Sequence, residues 1–269
     1  MAVARALQPL VDDPARAALF VDFDGSLSPI VLDPEAARAL PAARAALARL
    51  VPVLARVAVV SGRPAAFLRD ALAIDGLDYA GTYGLERIVD GDVVLDERVR
   101  PFLDAVAQAA DEAEAALPGL RVERKGEVAV TIHWRDQPAR GDAATRWAAE
   151  AAPRLGLEAP LRGRMAVELR PPVPVDKGTT VAELARGLRV AVFAGDDAGD
   201  LPAFAALHAL VDAGALDHAV SIGVASDESP AEVRGADVVV EGPTGLAVLL
   251  DALADAMTDE IAGPATGPG

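Results

Sequence analysis

Acidic side chains follow two short apolar segments of this chain. Asp22 and Asp24 stand two positions apart after the apolar run that begins at Ala18, and Gly25 comes next. In an extended strand this spacing places both carboxylates on the same side, and glycine permits a sharp turn after them. Two close carboxylates repel each other unless a cation lies between them, which favours Mg²⁺. An ordinary turn rich in Asp and Gly is the alternative interpretation.

The second acidic segment is denser. Asp196, Asp197 and Asp200 follow the apolar run 190–193, so three of five consecutive residues are aspartates. One of them suits the cap of a following helix. The others are the oxygen ligands that a hard cation prefers. This segment predicts a metal site.

Two further segments suit the binding of an anion. Ser61 and Gly62 follow a third apolar run and precede a helical pattern, where backbone N–H groups and a hydroxyl would meet a phosphate. A plain serine cap is the alternative. Lys177 lies at a predicted helix start, where the helix dipole disfavours a cation. That conflict indicates a functional lysine, although a surface lysine also fits.

Alternating strands and helices are expected to position these residues. The predicted strands are Ala18–Asp22, Arg56–Val60, Arg189–Ala194, Ala219–Gly223 and Asp237–Val240. The predicted helices are Pro41–Leu50, Pro64–Leu72, a short one near Ala231, and Pro243–Met257. Such alternation predicts a parallel sheet with helices on both faces and a ligand site at the carboxyl ends of its strands.

The middle of the chain has a different pattern. Asp90-Gly91 predicts a hairpin turn within 88–95, and helices are expected at 101–117 and 138–152. Segments 128–135 and 164–170 alternate strictly between apolar and polar residues, as in a sheet covered on one side only. We therefore predict an inserted α+β domain at 99–171, within a core formed by 1–98 and 172–269. Its open polar face is expected to carry His133, Arg135 and Glu168.

Composition excludes several classes of function. The formal net charge is −16 with a sequence pI of about 4.5 and no basic block, which argues against nucleic-acid binding. The absence of cysteine excludes disulfides, zinc–thiolate sites and a cysteine nucleophile. No apolar stretch reaches membrane-spanning length and no signal pattern is present, so a cytoplasmic location is expected, with no membrane association. The Gly/Pro-rich segment 262–269 is expected to be disordered, and no protein partner is indicated.

Taken in order, the double-Asp segment, Ser61, Lys177 and the acidic cluster resemble the four motifs of the haloacid dehalogenase superfamily. The resemblance implies an α/β fold with a doubly wound, Rossmann-like parallel-sheet core and an inserted α+β cap of the C2 type. It also implies Mg²⁺ as cofactor. The catalytic residues that it implies are Asp22 as nucleophile, Asp24 as general acid and base, and Ser61 and Lys177 as phosphate and charge partners. The metal ligands that it implies are Asp22, Asp24 through its carbonyl group, Asp196, Asp197 and Asp200.

Finer motifs resemble trehalose-6-phosphate phosphatases. They are 22–30, Tyr83-Gly84-Leu85-Glu86, Glu123-Arg124-Lys125, His133-Trp134-Arg135 and Glu168–Pro171. This resemblance implies Mg²⁺-dependent hydrolysis of trehalose 6-phosphate to trehalose and phosphate through an aspartyl-phosphate. The substrate-binding residues that it implies are Gly25, Gly62, Arg63, Glu86, Lys125, His133, Arg135 and Glu168. Tyr83 stands where histidine is common in that family.

Other functions stay open at this point. A phosphatase with the same cap type that acts on sucrose phosphate, a glycosyl-phosphoglycerate or a hexose phosphate is the nearest alternative, and a phosphomutase is another. A non-catalytic sugar-phosphate sensor or regulatory domain belongs to a different class. Loss of a motif residue would be its hallmark, yet Asp22, Asp24, Ser61, Lys177 and Asp196 are all present. A catalytic role is therefore favoured.

Overall fold

A computed structural model describes residues 5–31, 33–163, 165–227 and 229–262. The strands, in chain order, are β1 Ala17–Val21, β2 Arg56–Val60, β3 Asp78–Gly81, β4 Glu86–Val89, β5 Asp92–Leu95, β6 Arg121–Lys125, β7 Ala129–His133, β8 Leu161–Gly163, β9 Ala166–Leu169, β10 Val190–Gly195, β11 His218–Ala225 and β12 Val238–Glu241. The helices are α1 Gln8–Asp12, α2 Pro41–Leu50, α3 Ala65–Leu72, α4 Leu103–Ala116, α5 Gly141–Leu155, α6 Lys177–Leu184, α7 Leu201–Asp212, α8 Ala231–Arg234 and α9 Gly242–Ala262.

The chain separates into two compact units, one formed by 1–92 with 175–269 and the other by 93–174. The sequence predicted the change of domain at 98/99 and 171/172. The first unit is called the core unit below and the second the cap unit. None of the described helices combines the length and the apolar character required to cross a lipid bilayer.

The core unit is built on a sheet that has, over the described residues, the strand order β12-β11-β10-β1-β2-β3-β4. The strands from β12 to β3 pair in parallel, and β4 pairs antiparallel to β3. Strand β1 is central and fully buried, because Leu19 and Val21 enter one apolar layer while Ala18 and Phe20 enter the other. Residues of α2 and α9 line the first layer, and residues of α6 and α7 line the second. The predicted doubly wound α/β core is confirmed.

Several predicted boundaries shift in the structure. The helix expected at 101–117 begins at Leu103, since Pro101 lies inside a preceding 3₁₀ segment, Glu97–Phe102. The last helix continues to Ala262 rather than ending at Met257. The expected disorder of the tail therefore does not apply to Ala262, and residues 263–269 lie outside the described part.

The predicted turn between β4 and β5 has the expected backbone conformation. Asp90 and Gly91 have φ values of 51° and 88°. Positive φ at both central positions is what a two-residue type I′ hairpin requires, because this turn matches the twist of the flanking strands.

The cap unit contains an antiparallel sheet with the order β6-β7-β9-β8. Its apolar face, which includes Val130, Ile132, Val167 and Leu169, packs with residues of α4 and α5 in one hydrophobic cluster. The predicted strand 164–170 starts at Ala166, and Arg164 lies outside the described residues. The α+β character of this segment is as predicted.

The opposite face of the cap sheet differs from the expectation of an open polar surface. Thr131 and Glu168, direct partners on β7 and β9, are only 4% and 5% exposed. Strand β7 ends at His133, so Arg135 lies in the following turn and is exposed. The alternation in the sequence does reflect two distinct faces, but it does not continue to Arg135.

Candidate active site

Three of the predicted site residues follow neighbouring parallel strands. Asp22 comes after β1, Ser61 after β2, and Asp196 after β10. Because β1 lies between β10 and β2, Asp22 has a strand end on either side. The N–H of Asp22 donates to the carbonyl of Ala194 at 2.9 Å, which continues the strand pairing to the site. The carboxyl edge of the sheet therefore brings these residues together, as predicted.

Lys177 is buried among carboxylates. Its Nζ donates to Asp22 Oδ1 at 2.8 Å and to Asp200 Oδ1 at 2.5 Å. Burial by itself lowers the pKa of Lys177, but Asp200, Asp22 and Asp197 outweigh it and raise that pKa well above its ordinary value. Lys177 is thus held as a cation at the start of α6, despite the unfavourable helix dipole.

Asp200 organises the acidic segment. Its Oδ2 accepts hydrogen bonds from the backbone N–H groups of Asp196 at 2.9 Å and Asp197 at 3.1 Å, while Oδ1 accepts from Lys177. The carboxylate of Asp197 accepts instead from the N–H of Gly199 at 2.8 Å. Asp200 therefore fixes the loop that carries Asp196, and Asp197 shapes the turn.

The acidic cluster fits a divalent cation. Within the described residues, Asp22, Asp196 and Asp200 each offer a carboxylate oxygen, and these atoms lie within 4.8 Å of one another. The set is made of hard oxygen donors, which Mg²⁺ prefers. Gly25 adds a close approach, since a Cβ at this position would lie 2.2 Å from Asp196 Oδ2. Asp197, which was also predicted to bind metal, is not among these three residues, and the predicted contact of Asp24 is through its backbone carbonyl group, which stays a prediction.

Burial raises the pKa of Asp22 well above its usual value, and the charges of Asp200, Asp196 and Asp197 raise it further although Lys177 opposes them. Burial likewise raises the pKa of Asp200. A cation held between these carboxylates would favour their ionised forms. The electrostatics and the donor set therefore both suit a bound metal ion.

Asp24 is held by Arg63. The guanidinium donates from Nε to Asp24 Oδ2 at 2.6 Å and from Nη2 to Oδ1 at 2.7 Å, and Nη1 donates to the carbonyl of Pro34 at 2.9 Å. The same guanidinium lies over the ring of Phe67 at 4.8 Å. This bidentate pairing fixes the orientation of the carboxyl group. Arg63 was predicted to contact substrate. In the structure it binds Asp24, the predicted general acid and base.

Ser61 and Gly62 precede helix α3 as predicted. Ser61 is 2% exposed, and its Oγ lies 3.4 Å from the backbone N of Arg63. The ring of Tyr83 covers Gly62, where an added Cβ would lie 3.0 Å from the ring carbon Cζ and from the phenolic oxygen. Glu86 is buried and accepts from the N–H of Ala65, the first residue of α3, at 2.7 Å. This contact is structural, and a substrate contact of Glu86 stays a prediction.

A strained turn next to Ser61 was not predicted. Thr82 and Tyr83 have φ values of 45° and 63°, followed by Gly84 at 114°. A β-branched residue rarely adopts the left-handed conformation, which costs about 1–3 kcal/mol of strain. The Tyr83 carbonyl accepts from Thr180 Oγ1 at 2.6 Å, which joins the turn to helix α6. Only Gly84, between Tyr83 and Leu85, signals this turn in the sequence.

The polar face of the cap sheet carries hydrogen-bonded pairs of polar and charged side chains. Lys125 Nζ donates to Glu168 Oε2 at 2.6 Å, and Thr131 Oγ1 donates to the same oxygen at 3.1 Å. His133 Nε2 lies 2.7 Å from Glu123 Oε2. The other oxygen of Glu168 has no hydrogen-bond partner within the described residues, although it is buried. The structure brings Lys125 and Glu168 together, as neighbours on the same face. It adds Glu123 and Thr131, which were not predicted as site residues. Each lies two positions before Lys125 or His133 in its strand, and this spacing could have indicated that they share the face.

Comparisons with known proteins agree with this geometry. A trehalose-phosphatase family model matches residues 20–240. An uncharacterized glycosyl hydrolase of Mycobacterium tuberculosis is 38% identical over 208 residues, covering 71% of this chain and 15% of that protein. A trehalose-phosphate phosphatase of Mycolicibacterium paratuberculosis is 33% identical over 249 residues, covering 88% of this chain and 62% of that protein. This chain therefore spans less than two thirds of either relative.

Solved structures share the fold. A trehalose-6-phosphate phosphatase related protein superposes with a TM-score of 0.72 and 26% identity, covering 88% of this chain and 97% of that chain. A haloacid dehalogenase-like hydrolase from Bacteroides thetaiotaomicron gives a TM-score of 0.58 at 18% identity, covering 88% and 99%, and supports the fold alone. The family match extends from strand β1 to strand β12, and the chain belongs to the trehalose-phosphatase family.

Proposed function

We propose that this chain is a Mg²⁺-dependent phosphatase that hydrolyses trehalose 6-phosphate to trehalose and phosphate through an aspartyl-phosphate on Asp22. One observation carries the proposal. In a chain of the trehalose-phosphatase family, Asp22 is buried at the end of the central strand, bonded to Lys177 and clustered with Asp196 and Asp200. A carboxylate nucleophile needs this placement at a strand end, together with cations that offset the negative charge of an incoming phosphoryl group.

In the first half-reaction, a carboxylate oxygen of Asp22 forms a bond to phosphorus while the bond from phosphorus to the sugar oxygen breaks. Protonated Asp24 gives its proton to that leaving oxygen. Both oxygens of Asp24 accept hydrogen bonds from Arg63, which fixes the position of this carboxyl group. Ser61 donates to a phosphoryl oxygen from the end of β2.

In the second half-reaction, Asp24 takes a proton from a water molecule, whose oxygen attacks the phosphorus of the aspartyl-phosphate. The acyl phosphate bond breaks, Asp22 is restored, and inorganic phosphate leaves. Two of the hydrogen bonds that the Arg63 side chain donates hold Asp24 in place for this step. One carboxyl group thus serves as acid and then as base.

Charge compensation is the main task of the remaining residues. Lys177 supplies one positive charge at Asp22, and its raised pKa keeps it protonated through neutral pH. A Mg²⁺ ion held by Asp22, Asp196 and the loop fixed by Asp200 would neutralise phosphoryl oxygens. Both are needed because the protein as a whole carries a net charge of −16 and would repel a phosphate ester.

Recognition of the sugar is assigned to the polar face of the cap unit. Lys125 and His133 supply donors, Glu168 and Glu123 supply acceptors, and one oxygen of Glu168 still lacks a partner among the described residues. Sugar hydroxyls need this mixture of donors and acceptors. The exposed Arg135 is assigned the same role on the resemblance alone.

Phosphate release from trehalose 6-phosphate, with Mg²⁺ and with excess chelator, tests the proposal. Glucose 6-phosphate and sucrose 6-phosphate serve as competing substrates, and Asp22→Asn is the matched inactive variant. Selective release that requires Mg²⁺ and is lost in Asp22→Asn is the expected result. Selective release from another sugar phosphate would replace the substrate, and full activity of Asp22→Asn would remove the nucleophile.

A further inference from the structure

We propose that Thr180 is a positioning residue, which acts through Tyr83 to hold Ser61 where it binds the phosphoryl group. The inference deepens the proposed function and rests on it for the role of Ser61. Neither Thr180 nor Tyr83 carries a group that the phosphatase chemistry requires. Their contacts nevertheless connect two segments that carry such groups, the Ser61 segment and the helix that begins at Lys177.

Tyr83 connects the two segments through its backbone. The N–H of Tyr83 donates to the carbonyl oxygen of Ser61 at 2.9 Å, and the carbonyl oxygen of Tyr83 accepts from Thr180 Oγ1 at 2.6 Å. Thr180 is 2% exposed and lies three positions after Lys177 in the first turn of α6. The two hydrogen bonds therefore link the Ser61 segment to the helix that carries the buried lysine.

The turn leaves little freedom for another arrangement. Thr82 donates its N–H to the carbonyl of Arg63 at 2.8 Å, so the turn is bonded at both ends of Ser61-Gly62-Arg63. Added Cβ atoms at Gly62 and Gly84 would lie 3.0 Å from the Tyr83 ring and 2.0 Å from Thr180 Oγ1. Both glycines thus allow a close approach of the groups that form the link.

Backbone strain makes the link dependent on its partners. Thr82 and Tyr83 keep positive φ values, which persist only where surrounding contacts hold them. The Thr82 hydroxyl is buried without a hydrogen-bond partner among the described residues, so the side chain of Thr82 supplies no polar restraint. Removal of the Thr180 hydroxyl should let the turn relax and shift Ser61. Displacement of a positioning group by about 1 Å is enough to cost roughly 100-fold in rate.

The test compares Thr180→Val, which keeps the shape, with Thr180→Ser, which keeps the hydroxyl. Thr258→Val is the matched control, because Thr258 Oγ1 also donates to a carbonyl, that of Ala254, within α9. We expect Thr180→Val to lower kcat on trehalose 6-phosphate and p-nitrophenyl phosphate alike, by about 10- to 100-fold. Thr180→Ser should stay within about three-fold of the wild type, as one hydroxyl replaces another. Thermal unfolding monitors the fold, and Thr180→Ala replaces the valine variant if that one does not fold.

A double-mutant cycle with Ser61→Ala separates positioning from general stability. If Thr180 acts through Ser61, Thr180→Val should lower kcat little further once Ser61 is alanine. An equal loss in both backgrounds would overturn the inference. A loss in Thr180→Ser as large as in Thr180→Val would do the same, because the hydroxyl would then not matter.

Binding of inorganic phosphate, measured by calorimetry, distinguishes this inference from the proposed function. If the wild type binds phosphate but hydrolyses none of the esters, the proposed function fails. The double-mutant cycle is then evaluated from the Kd values for phosphate instead of kcat. Thr180→Val should then raise Kd about 10-fold alone and little in the Ser61→Ala background. Unchanged affinity, or no phosphate binding by the wild type, would overturn the inference.

Discussion

Asp22 is a buried carboxylate that shares its surroundings with two other carboxylates and one ammonium group. Three negative charges against one positive charge leave an excess that a divalent cation would balance. When no metal is bound, the folded protein therefore disfavours the charged form of Asp22. This penalty should affect stability as well as turnover.

The first prediction concerns the pH dependence of unfolding without metal. The folded pKa of Asp22 is raised above its ordinary value of 3.8, so its stabilising effect is complete below that pH and is lost as pH rises towards the folded value. Asp22→Asn lacks this penalty, and its stability relative to the wild type should therefore increase with pH. Denaturant unfolding of both proteins at several pH values between 4 and 8 would measure the difference. A constant difference would contradict the assigned electrostatics.

The second prediction concerns Gly25. An alanine here would bring Cβ to 2.2 Å from Asp196 Oδ2 at a φ of +80°, so Gly25→Ala should displace Asp196. We expect at least a roughly 100-fold loss of turnover and loss of the thermal stabilisation by Mg²⁺. Gly91→Ala is the matched control, since Gly91 has φ of +88° but nothing within 4 Å of an added Cβ. It should cost about 1 kcal/mol of stability and leave turnover intact.

At the scale of the secondary-structure elements, the sequence was most informative at strand ends. The parallel core and the grouping of Asp22, Ser61 and Asp196 could be predicted, because apolar strands and the polar residues that follow them are local patterns. A helix was expected after the acidic segment, but the bounds of helix α7 were not predicted, since its sequence is apolar nearly all round and lacks a clear helical period.

Contacts between distant segments could not be predicted. Three such contacts join residues far apart in sequence. They are the pairing of Asp24 with Arg63, the pairing of Glu168 with Lys125, and the hydrogen bond from Thr180 to Tyr83. Alternation along one strand assigns a face, but it does not show which residue of another strand will neutralise a charge there. For this reason the cap face was expected to be open, whereas Glu168 is buried.

The third prediction concerns the residues of the cap unit that are proposed to contact the sugar. Glu168→Ala and Arg135→Ala should each raise KM for trehalose 6-phosphate by about 10-fold or more, because lost hydrogen bonds to a charged group are worth about 1.5–3 kcal/mol. Their effect on p-nitrophenyl phosphate should be small. Arg124→Ala is the matched control, as Arg124 neighbours Lys125 in β6 but pairs with Asp111 and Glu114. Equal losses on both substrates would argue against sugar recognition by this face.

At the scale of the whole molecule, charge opposes the substrate. The net charge of −16 repels a phosphate ester at distances where Lys177 and a bound metal are screened by their carboxylates. The fourth prediction is that kcat/KM for trehalose 6-phosphate rises about two- to three-fold between roughly 20 and 150 mM ionic strength, since salt shortens the range of this repulsion. An uncharged substrate would be the natural control, but a phosphatase does not act on one. Low-salt samples of the same viscosity therefore provide the control. A fall with salt would mean that local cations dominate the encounter.

The strand order of the core sheet also constrains the path by which the protein folds. Strand β1 pairs on one side with β2, where Ala18 meets Arg56, and on the other with β10, where Ala17 meets Val190. A ribosome must therefore release the whole cap unit before the second neighbour of β1 exists. Until then, Asp22 and Ser61 belong to a half-sheet without Lys177 or the acidic loop. Contacts of such sequence separation form slowly, so the catalytic centre should be among the last parts of the core to consolidate.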